Sequence, residues 1–286
     1  MRAGADPGSG SESMMWTLKR GYLLVAILLL AGCSLPGLSA NSDAKNNVTV
    51  FAAASLTDPF RDLALQFEAD NPGVDVVFNF AGSQQLAQQL AQGAAVDLFA
   101  SANEAQMRAV IDTGRVTEGK QRVFGGNKLV VVMPAENPAG LSTLQDLAKP
   151  DVKLVLAAKN VPVGDYSLAF LEKANSSPQF AVGYEEAVLS NVVSYEENVK
   201  AVLSKVVLGE ADAGIVYSSD ISPDVAGQVA RISIPDSLNT LAAYPIAPVS
   251  DAPNLALAQK FLEFVLSPAG QAVLAGHGFI PVEKMD

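Results

Sequence analysis

Strand-like and helix-like segments alternate along most of this 286-residue chain, and this order restricts the fold more than any other feature of the sequence. Apolar residues 47–53 precede an amphipathic stretch whose apolar side chains, from Leu56 to Phe67, recur on one face of a helix. Such alternation is typical of α/β proteins and predicts mostly parallel sheets. The other predicted strands are residues 74–80, 97–100, 128–133, 153–158, 213–217 and 241–248, and the other predicted helices are residues 84–92, 103–113, 141–149, 198–208, 253–266 and 268–276, with one more beginning near Pro162.

The composition excludes several classes of function. Hydrophobic residues make up 49% of the chain, which is too many for a disordered protein. The net charge of −11 argues against a nucleic-acid partner, because phosphate backbones select faces rich in lysine and arginine. Cys33 is the one cysteine and His277 the one histidine, so the sequence can form neither an internal disulfide nor a zinc cluster of cysteine and histidine.

The N-terminal segment predicts export and lipidation. Residues 19–33 read KRGYLLVAILLLAGC, a basic pair followed by an apolar run too short to span a membrane comfortably. The ending Leu30-Ala31-Gly32-Cys33 resembles a bacterial lipoprotein signal, which implies cleavage before Cys33 and a lipid on its side chain. We therefore expect residues 1–32 to be a signal peptide, residues 33–46 a flexible tether, and the mature protein to be lipid-anchored in the periplasm or at the cell surface.

Four predicted helix starts have the composition of an anion site. They lie at Ser55, Ser83, residues 162–164 and residues 197–199, and each follows a predicted strand end or an extended segment. The first turn of a helix offers unpaired N–H groups and a partial positive charge, so it can hold an anion without lysine or arginine. A serine at such a place is more often only a cap, and Ser55 with Asp58 resembles a capping box. Tyr217, at the end of an apolar strand, is by itself most often a packing residue.

Seven segments occur along the chain in the following order: FAAASL at 51–56, FAGSQQLAQQL at 80–90, DLFASAN at 97–103, NKLVVVMP at 127–134, VPVGDYS at 161–167, ENVKAVL at 197–203 and GIVYSSD at 214–220. Together they resemble the molybdate-binding proteins of bacterial ABC importers, and the resemblance runs from about residue 48 to residue 279. That resemblance implies a type II periplasmic-binding-protein fold, in which two α/β lobes are joined by two crossing strands with a ligand cleft between them. Lobe one is then residues 47–127 and 243–286, and lobe two is residues 128–242.

The resemblance also implies a function and a set of ligand-binding residues. The function is extracytoplasmic capture of molybdate or tungstate and delivery to a transporter permease, by a monomer that needs no cofactor and is not an enzyme. One departure from the family pattern is Asn198, at a position that is often acidic in relatives. The positions that carry over are Ser55, Ser83, Val163, Val199 and Tyr217.

Three other hypotheses stay open at this point. The first is a binding protein for sulfate, thiosulfate or another tetrahedral oxyanion. The second is a hydrolase that uses Ser55 or Ser83 with His277 or a lysine as base, although neither serine lies in a GxSxG sequence. The third is an adhesion or structural lipoprotein.

Overall fold

Two five-stranded sheets organise residues 46–285, which are the residues that the computed structural model describes. The strand order is β2-β1-β3-β10-β4 in the first sheet and β7-β6-β8-β5-β9 in the second. The strands are β1 (Asn47–Ala53), β2 (Asp75–Ala81), β3 (Leu98–Ala100), β4 (Arg122–Asn127), β5 (Leu129–Pro134), β6 (Leu154–Ala157), β7 (Val192–Glu196), β8 (Ala213–Tyr217), β9 (Val229–Ser233) and β10 (Ala242–Pro248).

Helices pack against both sheets and begin close to the ends of several strands. Short 3₁₀ turns at Ala54–Leu56, Leu144–Ala148, Ser218–Asp220 and Val282–Lys284 complete the regular structure. The helices are α1 (Thr57–Asp70), α2 (Ser83–Ala91), α3 (Glu104–Asp112), α4 (Pro162–Asn175), α5 (Tyr184–Ser190), α6 (Val199–Val207), α7 (Pro223–Ala226), α8 (Leu255–Leu266) and α9 (Pro268–Gly276).

Both sheets are mixed, and the prediction of mostly parallel sheets is wrong. β1 pairs in parallel with β2 and β3, whereas β10 pairs antiparallel with β3 and β4. In the same way β6 pairs in parallel with β7 and β8, whereas β5 pairs antiparallel with β8 and β9. The sequence did not predict β4, β7 and β9, because none has the apolar run of the other strands: β4 contains two glycines, and side chains along β7 and β9 are partly exposed.

The chain passes between the sheets at two places. β4 and β5 are separated by Lys128 alone, and residues 234–241 lead from β9 to β10. Two buried asparagine side chains bond the backbone of these passages. Asn127 Oδ1 accepts a hydrogen bond from Lys128 N at 3.0 Å, and Asn239 bonds both Leu129 N and Leu129 O, at 3.0 and 2.9 Å. The assignment of residues to two lobes stays a prediction.

The predicted signal peptide, the tether and the lipidation site Cys33 lie outside the described residues. Within residues 46–285, every helix is too short or too polar to cross a bilayer.

Close packing of α6 on β8 depends on a glycine. A Cβ atom at Gly214 would lie 2.9 Å from Val202 Cγ1, 3.0 Å from Val206 Cγ2 and 3.2 Å from Val155 Cγ1. Because Val202 and Val206 are buried side chains of α6, the helix could not stay at its present distance from a larger residue.

We expect Gly214→Ala to destabilise the protein by about 1–3 kcal/mol, because the added methyl group overpacks the contact between α6 and β8. Gly276→Ala is the matched control, since a Cβ atom there meets nothing within 4 Å and lies in a helix, where alanine is favoured. Urea denaturation measures both changes. Equal free energies of unfolding for the two variants would contradict the packing account.

Candidate functional site

Ser55 lies in the turn Ala54–Leu56 between β1 and α1 and is 2% exposed. Its hydroxyl oxygen is 3.0 Å from the hydroxyl oxygen of Tyr244, which is also buried. The predicted capping box is wrong, because α1 has no side-chain cap and Leu56 is its N-cap residue. The chain makes a 3₁₀ turn before the α-helix begins, and this displaces Ser55 from the cap position.

Ser83 is the first residue of α2 and is 1% exposed. Its Oγ accepts a hydrogen bond from the backbone N–H of Ala102, at 3.1 Å, so its own proton is free for another acceptor. Gly82, just before it, is required by a close approach: a Cβ atom there would lie 2.5 Å from the carbonyl oxygen of Glu197. The lack of a side chain at Gly82 therefore lets the start of α2 approach Glu197, which follows a strand of the second sheet.

Val163 and Val199 are buried residues in the first turns of α4 and α6. Backbone N–H groups in a first turn have no acceptor within their own helix and can donate to a ligand. Asn198 caps α6, and its Oδ1 accepts a hydrogen bond from Ala201 N at 3.0 Å. The departure from an acidic residue therefore gives a neutral cap, which leaves no additional negative charge at this helix start.

Tyr217 ends β8 and is 1% exposed. Its hydroxyl group lies close enough to the hydroxyl of Tyr244 to affect its pKa, but it makes no hydrogen bond of acceptable geometry with the described residues. Burial raises the pKa of this phenol well above its ordinary value, so it stays protonated and remains a donor. A buried donor without a partner is costly and rare, and at a cleft it indicates a group that a ligand satisfies.

Contacts between side chains connect these positions. The Tyr217 ring lies 5.7 Å from the Tyr244 ring, centroid to centroid, and 6.4 Å from the ring of Tyr166 on α4. Tyr244 in turn bonds Ser55. Tyr244 thus connects Ser55, which follows a strand of the first sheet, with Tyr217, which ends a strand of the second.

Polar contacts at the starts of the helices also link the two sheet units. Gln84 Nε2 donates to the Glu197 carbonyl at 2.8 Å, and Gln85 Nε2 donates to the Glu197 carboxylate at 2.9 Å. Lys200 on α6 forms a salt bridge of 2.9 Å with Asp58 on α1. The two glutamine contacts hold the start of α2 against Glu197, just before α6, and the salt bridge holds α6 against α1. Ser83 and Val199 therefore lie on neighbouring segments.

Asp220 is a fully buried carboxylate near the site that sequence reasoning did not single out. Its Oδ2 accepts a hydrogen bond from Tyr217 N at 3.0 Å, whereas its Oδ1 has no hydrogen-bond partner among residues 46–285. Lys200 Nζ lies 3.9 Å from that oxygen. Burial raises the pKa of Asp220 to about 6, and the positive charge of Lys200 opposes this rise.

The donors of the site are electrically neutral. Residues 51–57, 80–86, 161–167 and 195–199 contain no lysine or arginine, and the charge of Lys200 is balanced by Asp58 and Asp220. Among the described residues, no group of three or more histidine, cysteine, aspartate or glutamate side chains is arranged to hold a metal ion. Hydroxyl and backbone N–H donors suit a multiply charged anion with several oxygen atoms.

Comparisons with known proteins agree with this geometry. A family model described as "Bacterial extracellular solute-binding protein" matches residues 48–280. The molybdate-binding protein ModA of Mycobacterium tuberculosis is 38% identical over 259 residues, which are 90% of this chain and 94% of that protein. The molybdate-binding protein ModA of Escherichia coli is 31% identical over 259 residues, with coverage of 88% and 96%.

A solved structure of another protein has a similar fold. The sulfate-binding protein SubI of Mycobacterium tuberculosis superimposes with a TM-score of 0.74 at 20% identity, covering 83% of this chain and 87% of that one. The predicted fold, with two α/β lobes joined by crossing strands, is confirmed.

The buried carboxylate of Asp220 predicts a pH-dependent stability. An unfolded aspartate ionises near pH 4 and the folded one near pH 6, so the protonated form favours the folded state. This contribution is present below pH 4 and is lost as pH rises to 6, by about 2–3 kcal/mol. Relative to Asp220→Asn, which cannot ionise, the wild type should therefore lose this amount of unfolding free energy between pH 4 and pH 6.

Denaturant unfolding at pH 4, 5, 6 and 7 without ligand measures the difference between the two proteins. Replacing Lys200 by methionine removes the opposing charge and should move the change to higher pH. A difference between wild type and Asp220→Asn that stays constant over the whole range would refute this account of Asp220.

Proposed function

Because the chain belongs to the family of bacterial extracellular solute-binding proteins, we propose that it captures molybdate and tungstate outside the cytoplasm and delivers them to the permease of an ABC importer. Support for the ligand comes from relatives at 38% and 31% identity that are named molybdate-binding proteins. The structural observation that carries the proposal is the buried, unpartnered hydroxyl group of Tyr217 beside the pair of Ser55 and Tyr244.

In the proposed site, Ser55 and Ser83 donate hydroxyl and backbone hydrogen bonds, Val163 and Val199 donate backbone N–H groups, and Tyr217 donates its phenol. Neutral donors replace the water molecules that a tetrahedral dianion loses on entering the cleft. Each donor left unpaired by a poorly fitting ligand is a cost, which favours anions that satisfy all of them. Hydrogen phosphate brings a proton that needs an acceptor, and none of these five positions has a carboxylate. The buried carboxylate beside the site, Asp220, accepts from Tyr217 N and faces Lys200 with its other oxygen.

Closure of two lobes is the proposed signal to the permease. A ligand shifts an open–closed balance only by its higher affinity for the closed state, and donors from both lobes provide that difference. The contacts from Gln84 and Gln85 to Glu197, and from Lys200 to Asp58, support a closed arrangement of residues 47–127 and 243–286 against residues 128–242.

We infer that the mature protein is a monomer held at a membrane by a lipid on Cys33. The support is the sequence LAGC at the end of a short apolar run.

Binding without catalysis is part of the proposal. The hydroxyl of Ser55 pairs with Tyr244, and that of Ser83 accepts from Ala102 N. His277, one candidate base, bonds Asp62 at 2.7 Å, and Lys200, the lysine next to Val199, is held by Asp58 at 2.9 Å. None of these contacts resembles a serine activated by a histidine.

A thermal-shift panel of oxyanions tests the ligand. At a molybdate or tungstate concentration about 100 times the dissociation constant, binding adds about 2.7 kcal/mol of stability, which is a rise of about 5–10 °C in Tm for a chain of this size. We expect a smaller rise with sulfate, which should make looser bonds to the same donors, and none with phosphate. The largest shift with sulfate or thiosulfate would overturn the proposed specificity while leaving an oxyanion-binding function.

Tyr217→Phe should separate binding from stability. It removes a hydroxyl group that has no partner among the described residues, so the ligand-free protein should keep its stability or gain up to about 1 kcal/mol. Molybdate affinity should fall by about tenfold or more, because a hydrogen bond to a charged ligand is lost. Calorimetric titration and ligand-free denaturation measure the two effects.

Tyr184→Phe is the matched control, because Tyr184 is also buried but its hydroxyl donates to the Leu144 carbonyl at 2.5 Å. This variant should lose about 1–3 kcal/mol of stability and keep its molybdate affinity. Unchanged affinity in Tyr217→Phe would remove Tyr217 from the proposed site.

A further inference from the structure

We propose that Tyr244 is a positioning residue that fixes the direction of the Ser55 hydroxyl proton, so that Ser55 donates to the bound oxyanion. This inference rests on the proposed function, since it takes Ser55 as a ligand donor. It adds to the site a residue from β10 that neither the sequence pattern nor the resemblance singled out.

Tyr244 is held firmly in place. Its side chain is fully buried, and its ring packs edge-on against Phe124 at 6.1 Å and against Phe279 at 5.2 Å between centroids. The ring of Tyr217 contacts it from the side of the second sheet at 5.7 Å. Its hydroxyl oxygen therefore has little freedom, and it lies 3.0 Å from Ser55 Oγ.

The number of protons decides the direction of this hydrogen bond. A hydroxyl group has one proton to donate and two lone pairs that accept. If Ser55 gives its proton to Tyr244, Ser55 can offer only lone pairs to the cleft, and these repel an oxyanion. If Tyr244 gives its proton to Ser55, the Ser55 proton is free to point at the ligand. An anion in the cleft therefore selects the chain of donation from Tyr244 to Ser55 to oxyanion.

Two properties of Tyr244 favour this chain. Burial raises the pKa of its phenol well above the ordinary value, so the proton that it donates is present at every physiological pH. Hydrogen bonds in series also polarise one another in a buried setting, so a Ser55 that accepts from Tyr244 becomes a stronger donor to the anion.

The same chain affects selectivity. When Tyr244 donates to Ser55, its proton occupies one lone pair of the Ser55 oxygen, and the Ser55 proton is directed at the ligand. This arrangement disfavours an anion that carries its own proton. With phenylalanine at position 244, the Ser55 hydroxyl can rotate and accept. Discrimination against hydrogen phosphate should therefore weaken when the Tyr244 hydroxyl is removed, an effect that a purely structural role would not produce.

A double-mutant cycle of Tyr244→Phe and Ser55→Ala tests the proposal in the complete folded protein. Affinities of the four proteins are measured by calorimetric titration with the oxyanion that gives the wild type its largest thermal shift, and with phosphate. We expect Tyr244→Phe to bind about tenfold more weakly than wild type. The double variant should bind within about twofold of Ser55→Ala, because Tyr244 acts through Ser55.

Two results would overturn the role of Tyr244. One is wild-type affinity in Tyr244→Phe. The other is a double variant weaker than Ser55→Ala by the full factor seen for Tyr244→Phe alone, which would make Tyr244 an independent contact. Ligand-free thermal unfolding controls for folding: phenylalanine keeps the ring contacts, so Tyr244→Phe should unfold cooperatively like wild type.

The outcomes also separate this inference from the proposed function. A wild type that prefers sulfate overturns the molybdate assignment, yet the cycle is then run with sulfate and tests Tyr244 unchanged. A wild type that binds no oxyanion overturns the proposed function and with it the role of Ser55. Normal binding by the wild type combined with additive variants overturns only the positioning role.

Discussion

The site depends on the two passages of the chain between its sheets. Lys128 alone separates β4 from β5, and residues 234–241 return the chain from β9 to β10. Asn127 and Asn239 are buried, and their side chains bond backbone groups at these connections. Asn127 also bonds the hydroxyl groups of Ser218 and Ser219, the two residues that follow β8, and so ties the strand end that carries Tyr217 to this passage.

Electrostatics in this region follows from the lack of basic side chains at the helix starts. The donors are neutral, and the nearest cation, Lys200, is held between Asp58 and Asp220. Because two carboxylates neutralise its charge, Lys200 does not attract anions to the cleft without selectivity. Selection then rests on how well an oxyanion satisfies fixed donors, and this is a property of geometry more than of net charge. The overall charge of −11 is compatible with such a site for the same reason.

A buried polar group without a hydrogen-bond partner lowers the stability of the ligand-free protein, but it is available to bind a ligand. Four buried side-chain atoms have no hydrogen-bond partner among the described residues: the Tyr217 hydroxyl, Gln84 Oε1 and Asp220 Oδ1 near the site, and Arg115 Nε away from it, where Arg115 bonds the Ala94 carbonyl. Elsewhere in the described chain, buried polar side chains such as Tyr184 and Asn239 are paired. Of the three atoms near the site, the Tyr217 hydroxyl is a donor that an oxyanion can satisfy, whereas Gln84 Oε1 and Asp220 Oδ1 are acceptors that a proton-free oxyanion leaves unpaired.

The sequence alone determined the class of the fold, because periodic apolar residues report helices and strands directly. It also indicated Ser55, Ser83, Val163, Val199 and Tyr217 through repeated strand–helix junctions and through a family resemblance. It missed β4, β7 and β9, whose glycines or half-exposed side chains lack a strand pattern and which depend on neighbours for pairing. Only the tertiary structure showed that Ser55 is a partner of Tyr244 and not a helix cap, and that Asp220 lies beside Lys200. Ser55 and Tyr244 are 189 residues apart, so no local pattern records their contact. A local sequence pattern specifies the helices and strands. Which of their ends lie close together depends on how the chain passes between the two sheets.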